Sequence, residues 1–347
     1  MVKAVGFLKG IKQDDNVIII FHNDTDGICS TVLLMKLLKT VDNEPTIIPQ
    51  PMPVNETLAQ KVKTYMANKI IFVDLAVDQQ PNVLKELQIF CDILIIDHHV
   101  PNNSMNGKRI IHFNPRFDDK NIYQSASYIT YNLCNKIIDM RKWLWLAGVG
   151  MVGDYNLEDS GDLVKQIEEA YPAIKQTGIN NSILANIGSM ITATKATKLL
   201  SLEEIVSMIN SMQKPDDIQK SQKGDNMLRS FELVQNEMAA VVADVEIKFA
   251  KNKYILYELG TKYNLRSPVA TAVSEKHPDK FVAIYQEMGK KIKMSVRHQN
   301  GDDVITILEK AAKGTRALVG GHMQAAGATI DKREWEKFKA QLKAVLE

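Results

Sequence analysis

The chain has 347 residues, enough for two domains with real cores, and its 45% hydrophobic and 24% charged content fits a water-exposed globular protein. No apolar run approaches ~20 residues, so a membrane span is not expected, and the opening MVKAVGFLKGIKQDDN has too short an apolar core for a signal peptide. The net charge of +2 is unevenly spread: from residue 240 onward there are 19 Lys and Arg against 13 Asp and Glu, and before it 24 against 28.

The first half alternates strand and helix patterns. NVIIIF (16–21) reads as a buried strand, and residues 27–40 place apolar side chains at helical spacing. TIIP (46–49) reads as a short strand, residues 55–68 as a helix, and KIIFVD (69–74) as a strand. Residues 79–90 read as a helix with Pro81 near its start, followed by strands DILIID (92–97) and RIIHF (109–113). Strands this apolar, separated by helices of about a dozen residues, predict a mostly parallel sheet with helices on both faces. Residues 125–152 and 157–238 read as mainly helical. The polar stretch 212–226 is the expected linker, with a connecting helix after it.

From about residue 244 the alternation returns and predicts a smaller α/β domain. VEIKFAKNKYILYEL suggests a hairpin, NLRSPVATAVSEK a helix, and KFVAIYQEM and KIKMSVRH two strands. Residues 302–313 suggest a helix, ATI a strand, and a last helix starts near Arg333. The expected division is 1–212, 213–243 and 244–347. The excess of lysine and arginine in the last part suits a polyanion as well as it suits an ordinary solvated face. Cys29, Cys91 and Cys134 lie in apolar surroundings without zinc spacing, as expected of buried free thiols in a reducing cytoplasm.

Three early strands end in ionisable groups. NVIIIF runs into His22, Asp24 and Asp26; KIIFV runs into Asp74; ILII runs into Asp97, His98 and His99. In an open parallel sheet the carboxyl ends share one edge, so these groups converge. Asp26 beside Gly27 would by itself be no more than a helix cap, and His99 alone a structural histidine. Three clusters at equivalent strand ends ask for more. Converging carboxylates repel, and a cation relieves them. Carboxylate oxygens mixed with imidazole nitrogens suit Mn²⁺ or a similar first-row ion, and Mg²⁺ stays open. Five or more ligands suit two ions ~3.5–4 Å apart, an arrangement that favours in-line attack on phosphate esters.

Asp97-His98-His99, with Asp74 and the run from His22 to Gly27, resembles the DHH phosphoesterase superfamily. GGHMQAAG (320–327) resembles the signature of its C-terminal DHH-associated domain, and HFNPR (112–116) and VGMVGDY (149–155) resemble its intervening motifs. The opening His-x-Asp-x-Asp-Gly is similar to that of archaeal RecJ-like proteins. The resemblance implies one metal held by His22, Asp24 and Asp74, and a second by Asp26, Asp74, His98 and Asp154. It implies that His99 faces the scissile phosphate and that Asp97 orients the histidines. In the second domain it implies substrate contacts from Arg297, Ser295, Gly320, Gly321 and His322.

The activity implied is a Mn²⁺-dependent exonuclease on single-stranded DNA or RNA, leaning to 3′→5′ polarity. At this length the chain is expected to lack the additional nucleic-acid-binding domains of bacterial RecJ. The alternatives are a phosphodiesterase of short oligoribonucleotides, cyclic dinucleotides or adenosine bisphosphate, and a binding protein associated with GINS-type replication proteins.

Overall fold

The computed structural model describes residues 1–54, 57–155, 157–249, 251–301 and 303–347. The chain divides into two compact units, Met1–Phe231 and Glu232–Glu347. No described helix is long and apolar enough to cross a membrane.

In the first unit, α1 (Val2–Lys9) precedes β1 (Val17–His22), α2 (Thr25–Leu38), β2 (Thr46–Gln50), α3 (Leu58–Lys63), β3 (Lys69–Val73), α4 (Pro81–Leu87), β4 (Asp92–Ile96) and β5 (Ile110–Phe113). The strands form one sheet in the order β2-β1-β3-β4-β5, parallel throughout. Strand side chains alternate between faces, and β1 shows why its whole run is apolar. Val17, Ile19 and Phe21 enter a core with residues of α1 and α2, whereas Ile18 and Ile20 enter a second core with residues of α3 and α4. Burial on both faces removes the apolar–polar alternation seen in one-sided sheets.

The sheet order also creates a switch point. From β1 the chain goes to β2 on one side and then crosses to β3 on the other, so the crevice opens between the carboxyl ends of β1 and β3.

The helical remainder comprises α5 (Ala126–Asn135), α6 (Leu144–Gly153), α7 (Gly161–Ala170), α8 (Pro172–Thr177), α9 (Ile183–Thr197) and α10 (Leu202–Ser211). Helix α6, LWLAGVGMVG, is apolar all round and buried along most of its length, with Trp145 fully enclosed. The polar stretch 212–226 carries a 3₁₀ turn, Pro215–Lys220, and Met212, Ile218 and Met227 are buried in the core of this unit. Of the helix expected over 55–68, residues 55 and 56 lie outside the described residues and Leu58–Lys63 is helical.

Helix α11 (Gln222–Phe249) spans the boundary between the units. It corrects the expected hairpin: residues 245–249 are helical, not a strand. VEIKF alternates locally, but Val234, Val241, Val242 and Val245 are buried at helical spacing while Ile247 is exposed.

The second unit continues with β6 (Tyr254–Glu258), α12 (Arg266–Lys276), β7 (Phe281–Met288), β8 (Lys291–Arg297), α13 (Val304–Ala312), β9 (Leu318–His322), β10 (Ala325–Asp331) and α14 (Trp335–Leu346). Its mixed sheet runs β6-β7-β8-β10-β9, with β6 parallel to β7 and the other pairs antiparallel. Ile292, Met294 and Val296 of β8 face a core with α13 and α14. The helix expected over 302–313 begins at Val304 with Asp303 as its N-cap; Asp302 lies outside the described residues.

Candidate metal centre

The residues after β1, β3 and β4 meet at the switch point, joined by the end of α6. His22 is the last residue of β1, and Asp24 caps α2 by accepting a 3.0 Å hydrogen bond from the Gly27 amide. That bond occupies Oδ1 and leaves Oδ2, which lies 2.7 Å from His22 Nδ1. Asp74 follows β3 and is buried. One of its oxygens is 3.2 Å from His98 Nε2 and the other 3.5 Å from His22 Nδ1. Asp74 takes φ +60, a left-handed conformation that Asp tolerates at a cost of roughly 1–2 kcal/mol. Asp154 ends α6, with Oδ2 3.6 Å from His98 Nδ1.

Three sets of side chains, His22–Asp24–Asp74, Asp74–His98–His99 and Asp26–His98–Asp154, each bring one ligand atom per residue within 4.8 Å of the others. Asp74 and His98 each belong to two sets.

Asp26 has a second task. It is buried in the first turn of α2, and its two oxygens accept hydrogen bonds from the amides of Ala126 and Ser127 at 2.6 and 2.9 Å. These amides open α5, so the carboxylate sits at that helix's positive end. Gly150 of α6 makes room for the arrangement. A Cβ there would fall 2.2 Å from Ser127 Oγ and 2.7 Å from Asp26 Oδ1.

Asp97 is fully buried and lies 2.8 Å from His99 Nδ1, which leaves Nε2 as the ring nitrogen available to a ligand. The peptides of the histidine pair are tied from outside. Asn114 Nδ2 donates to the His99 carbonyl at 2.8 Å, and Arg116 Nε donates to the His98 carbonyl at 2.8 Å. Tyr123 stacks on His98 with centroids 5.5 Å apart, and its hydroxyl donates to the Asp154 carbonyl at 3.4 Å. Lys195 of α9 donates 2.7 Å to the carbonyl of Asn23. Asn114 and Arg116 belong to HFNPR. Tyr123, on a loop, and Lys195, on a helix, gave no signal of periodicity or motif.

Burial dominates the titration here. It pushes Asp26 and Asp74 up, and it raises Asp154 to about 7, with the charge of Asp26 adding to it. Burial opposes a charge on His22, but the Asp24 and Asp74 carboxylates outweigh it and raise this histidine to about 10. Burial also works against ionised Asp24 and Asp97, and there the partners His22 and His99 win and hold both carboxyls low.

The donor set fits divalent cations. The buried atoms His22 Nδ1, Asp74 Oδ2, His98 Nδ1 and Asp154 Oδ2 have no aligned hydrogen-bond partner, although carboxylates and imidazoles surround them. Buried polar atoms of this kind are the ones a bound ion would satisfy. Hard oxygens with imidazole nitrogens suit Mn²⁺ or a similar first-row ion better than Mg²⁺, which prefers an all-oxygen shell.

The second-domain candidates lie on β8, β9 and their neighbours. Ser295 and Gly320 line one open concavity of about 320 Å³ together with Arg266, Lys293, Gly327 and Thr329. Gly321 takes φ +143, and a Cβ there would fall 2.5 Å from the Ala325 carbonyl oxygen, so the β9–β10 hairpin needs glycine. Arg297 is folded toward α12, donating to Ser267 Oγ at 2.8 Å. His322 is in β9, and its side chain lies outside the described parts of the structure.

A model of the DHH family, N-terminal domain, matches residues 16–151, and a DHHA1 domain model matches residues 251–347. The chain thus belongs to the DHH family and carries a DHHA1 domain, in a RecJ-like architecture. Three solved structures illustrate the likeness. RecJ in complex with Mn²⁺ from Thermus thermophilus is 18% identical with a TM-score of 0.77, over 99% of this chain and 54% of that one. The chain therefore spans about half the length of that protein. An exonuclease RecJ bound to manganese is 18% identical with a TM-score of 0.71, over 99% and 93%. A pGpG-specific phosphodiesterase from Vibrio cholerae is 15% identical with a TM-score of 0.51, over 95% and 99%. At these identities the likeness is one of fold. Comparison with curated proteins gives no match.

Proposed function

We propose that this protein is a metal-dependent phosphodiesterase that removes nucleotides from an end of single-stranded DNA or RNA. One observation carries the reading: carboxylates and imidazoles from three strand ends and one helix end form overlapping ligand sets that share Asp74 and His98. In this reading His22, Asp24 and Asp74 hold one divalent ion and Asp26, Asp74, His98 and Asp154 hold another. Bound there, the ions supply positive charge to phosphate oxygens and lower the pKa of water.

The chain's own residues do the rest. Asp97 fixes the ring of His99 and favours its protonated form against the cost of burial. A protonated His99 then carries the proton that the leaving oxygen takes, through Nε2. Asn114 and Arg116 hold the backbone of His98 and His99, and Tyr123 keeps the His98 ring beside Asp154. Ser295, Gly320 and Lys293 line a concave, basic surface of the second unit that suits phosphate oxygens, and Arg297 would have to release Ser267 and Thr271 to offer its fork of donors.

The test is digestion of 5′-labelled and 3′-labelled single strands of both sugars, over a length series, with Mn²⁺ and Mg²⁺ varied. Stepwise shortening of strands of twenty or so nucleotides supports the reading, and the labels give the polarity. Cleavage confined to strands of two to five nucleotides, or to cyclic dinucleotides, would replace it with a small-substrate phosphodiesterase. No cleavage of any phosphodiester would leave a binding role.

A further inference from the structure

We infer that Tyr155 is a stacking platform for a nucleobase of the strand being cut; the inference rests on the reading above. Helix α6 ends at Gly153, Asp154 is its cap, and Tyr155 follows with φ +53. Its amide donates to the Val152 carbonyl at 3.2 Å. A left-handed residue just past a helix is ordinarily glycine or asparagine, because a β-carbon is strained there. Here the position holds a bulky aromatic side chain.

Packing does not account for the ring. Tyr155 is 91% exposed, the most exposed large apolar side chain among the described residues, and its side chain has no ring, hydrogen-bond or ionic partner among them. The chain thus carries backbone strain and exposes an aromatic surface at one position. Both costs fall on the residue bonded to Asp154, whose carboxylate reaches His98 in the metal centre.

The chemistry of the surroundings narrows the ligand. Asp24, Asp26, Asp74 and Asp154 make this region acidic, so a phosphate is attracted only where ions offset the carboxylates. A neutral aromatic face binds a base without meeting that repulsion, and every base has a face to offer. Stacking here gives a requirement for a base with little preference among the four. It separates nucleic-acid ends from inorganic polyphosphates, which have no ring to stack.

The experiment compares the wild type with Tyr155→Phe, Tyr155→Ala and Tyr155→Gly, the last removing the ring and the backbone strain together. Substrates are labelled single strands ending either in normal nucleotides or in abasic tetrahydrofuran residues. A cleavage-resistant phosphorothioate strand with terminal 2-aminopurine reports stacking by fluorescence quenching. With base-bearing ends, kcat/KM is expected to fall roughly tenfold to a hundredfold in the Ala and Gly variants, mainly through KM, and to stay near wild type in Phe. Abasic ends should be cut equally by all four proteins, and quenching should be lost with the ring. Equal losses on both kinds of end, or no loss and unchanged quenching, overturn the inference while leaving the exonuclease reading intact. A wild type that cuts neither kind of end removes the exonuclease reading and this inference with it.

Discussion

Oδ1 of Asp97 lies 2.8 Å from Nδ1 of His99, yet the two side chains occupy opposite environments: Asp97 is fully enclosed and the histidine is 38% exposed. The carboxylate holds one end of the ring in the protein and leaves the other end partly exposed. In the proposed reading Asp97 is a positioning residue, since it is placed to act through His99.

Replacing Asp97 with Asn is expected to lower kcat about 10–100-fold, with a much smaller change in metal affinity. Steady-state kinetics beside a Mn²⁺ titration of the same protein checks this. An Asp97→Asn protein that loses Mn²⁺ binding outright would make Asp97 a ligand instead.

In the proposed reading, binding an ion displaces protons from this centre. Burial, with the charge of Asp26, lifts Asp154 to about 7, so its carboxyl is protonated in the folded protein well above its ordinary range. Such a raised carboxyl weakens the metal-free fold as pH rises past its unfolded value, and an ion removes that penalty. His22, raised to about 10, also gives up a proton when it binds a metal. Mn²⁺ affinity is thus expected to tighten from about pH 6 to about pH 8, with net proton release. Calorimetry in buffers of different ionisation enthalpy measures the release. A pH-independent affinity without release would contradict the arrangement.

Two glycines separate the needs of the site from ordinary helix propensity. Gly150→Ala places a methyl against Ser127 and Asp26, and is expected to destabilise the protein by about 1–3 kcal/mol and to weaken Mn²⁺ binding. Gly6→Ala, on α1, meets nothing within 4 Å and is expected to stabilise it by about 0.5–1 kcal/mol with metal binding unchanged. Urea unfolding of both variants tests the contrast, which would be lost if Gly150→Ala were silent.

The sheet was legible because its strands are buried on both faces. NVIIIF, KIIFV and ILII are apolar at every position that the strands bury, and each stops where an ionisable residue begins. Three of the four segments that build the centre could thus be found from strand ends. Asp154 could not, since it caps a helix that is apolar throughout, and only the family motif pointed to it. The capping task of Asp26 was also hidden. Its partners, the amides of Ala126 and Ser127, lie about a hundred residues away and belong to the backbone. Residues 245–249 misled for a local reason. Five letters alternate as a strand does, but they continue a helix whose buried valines begin well before them.

Anomalous X-ray scattering from crystals grown with Mn²⁺ tests the metal centre most directly. Two peaks are predicted, ~3.5–4 Å apart, with Asp74 between them and His22 and His98 on opposite sides. A map with no manganese in contact with Asp74 would contradict the account.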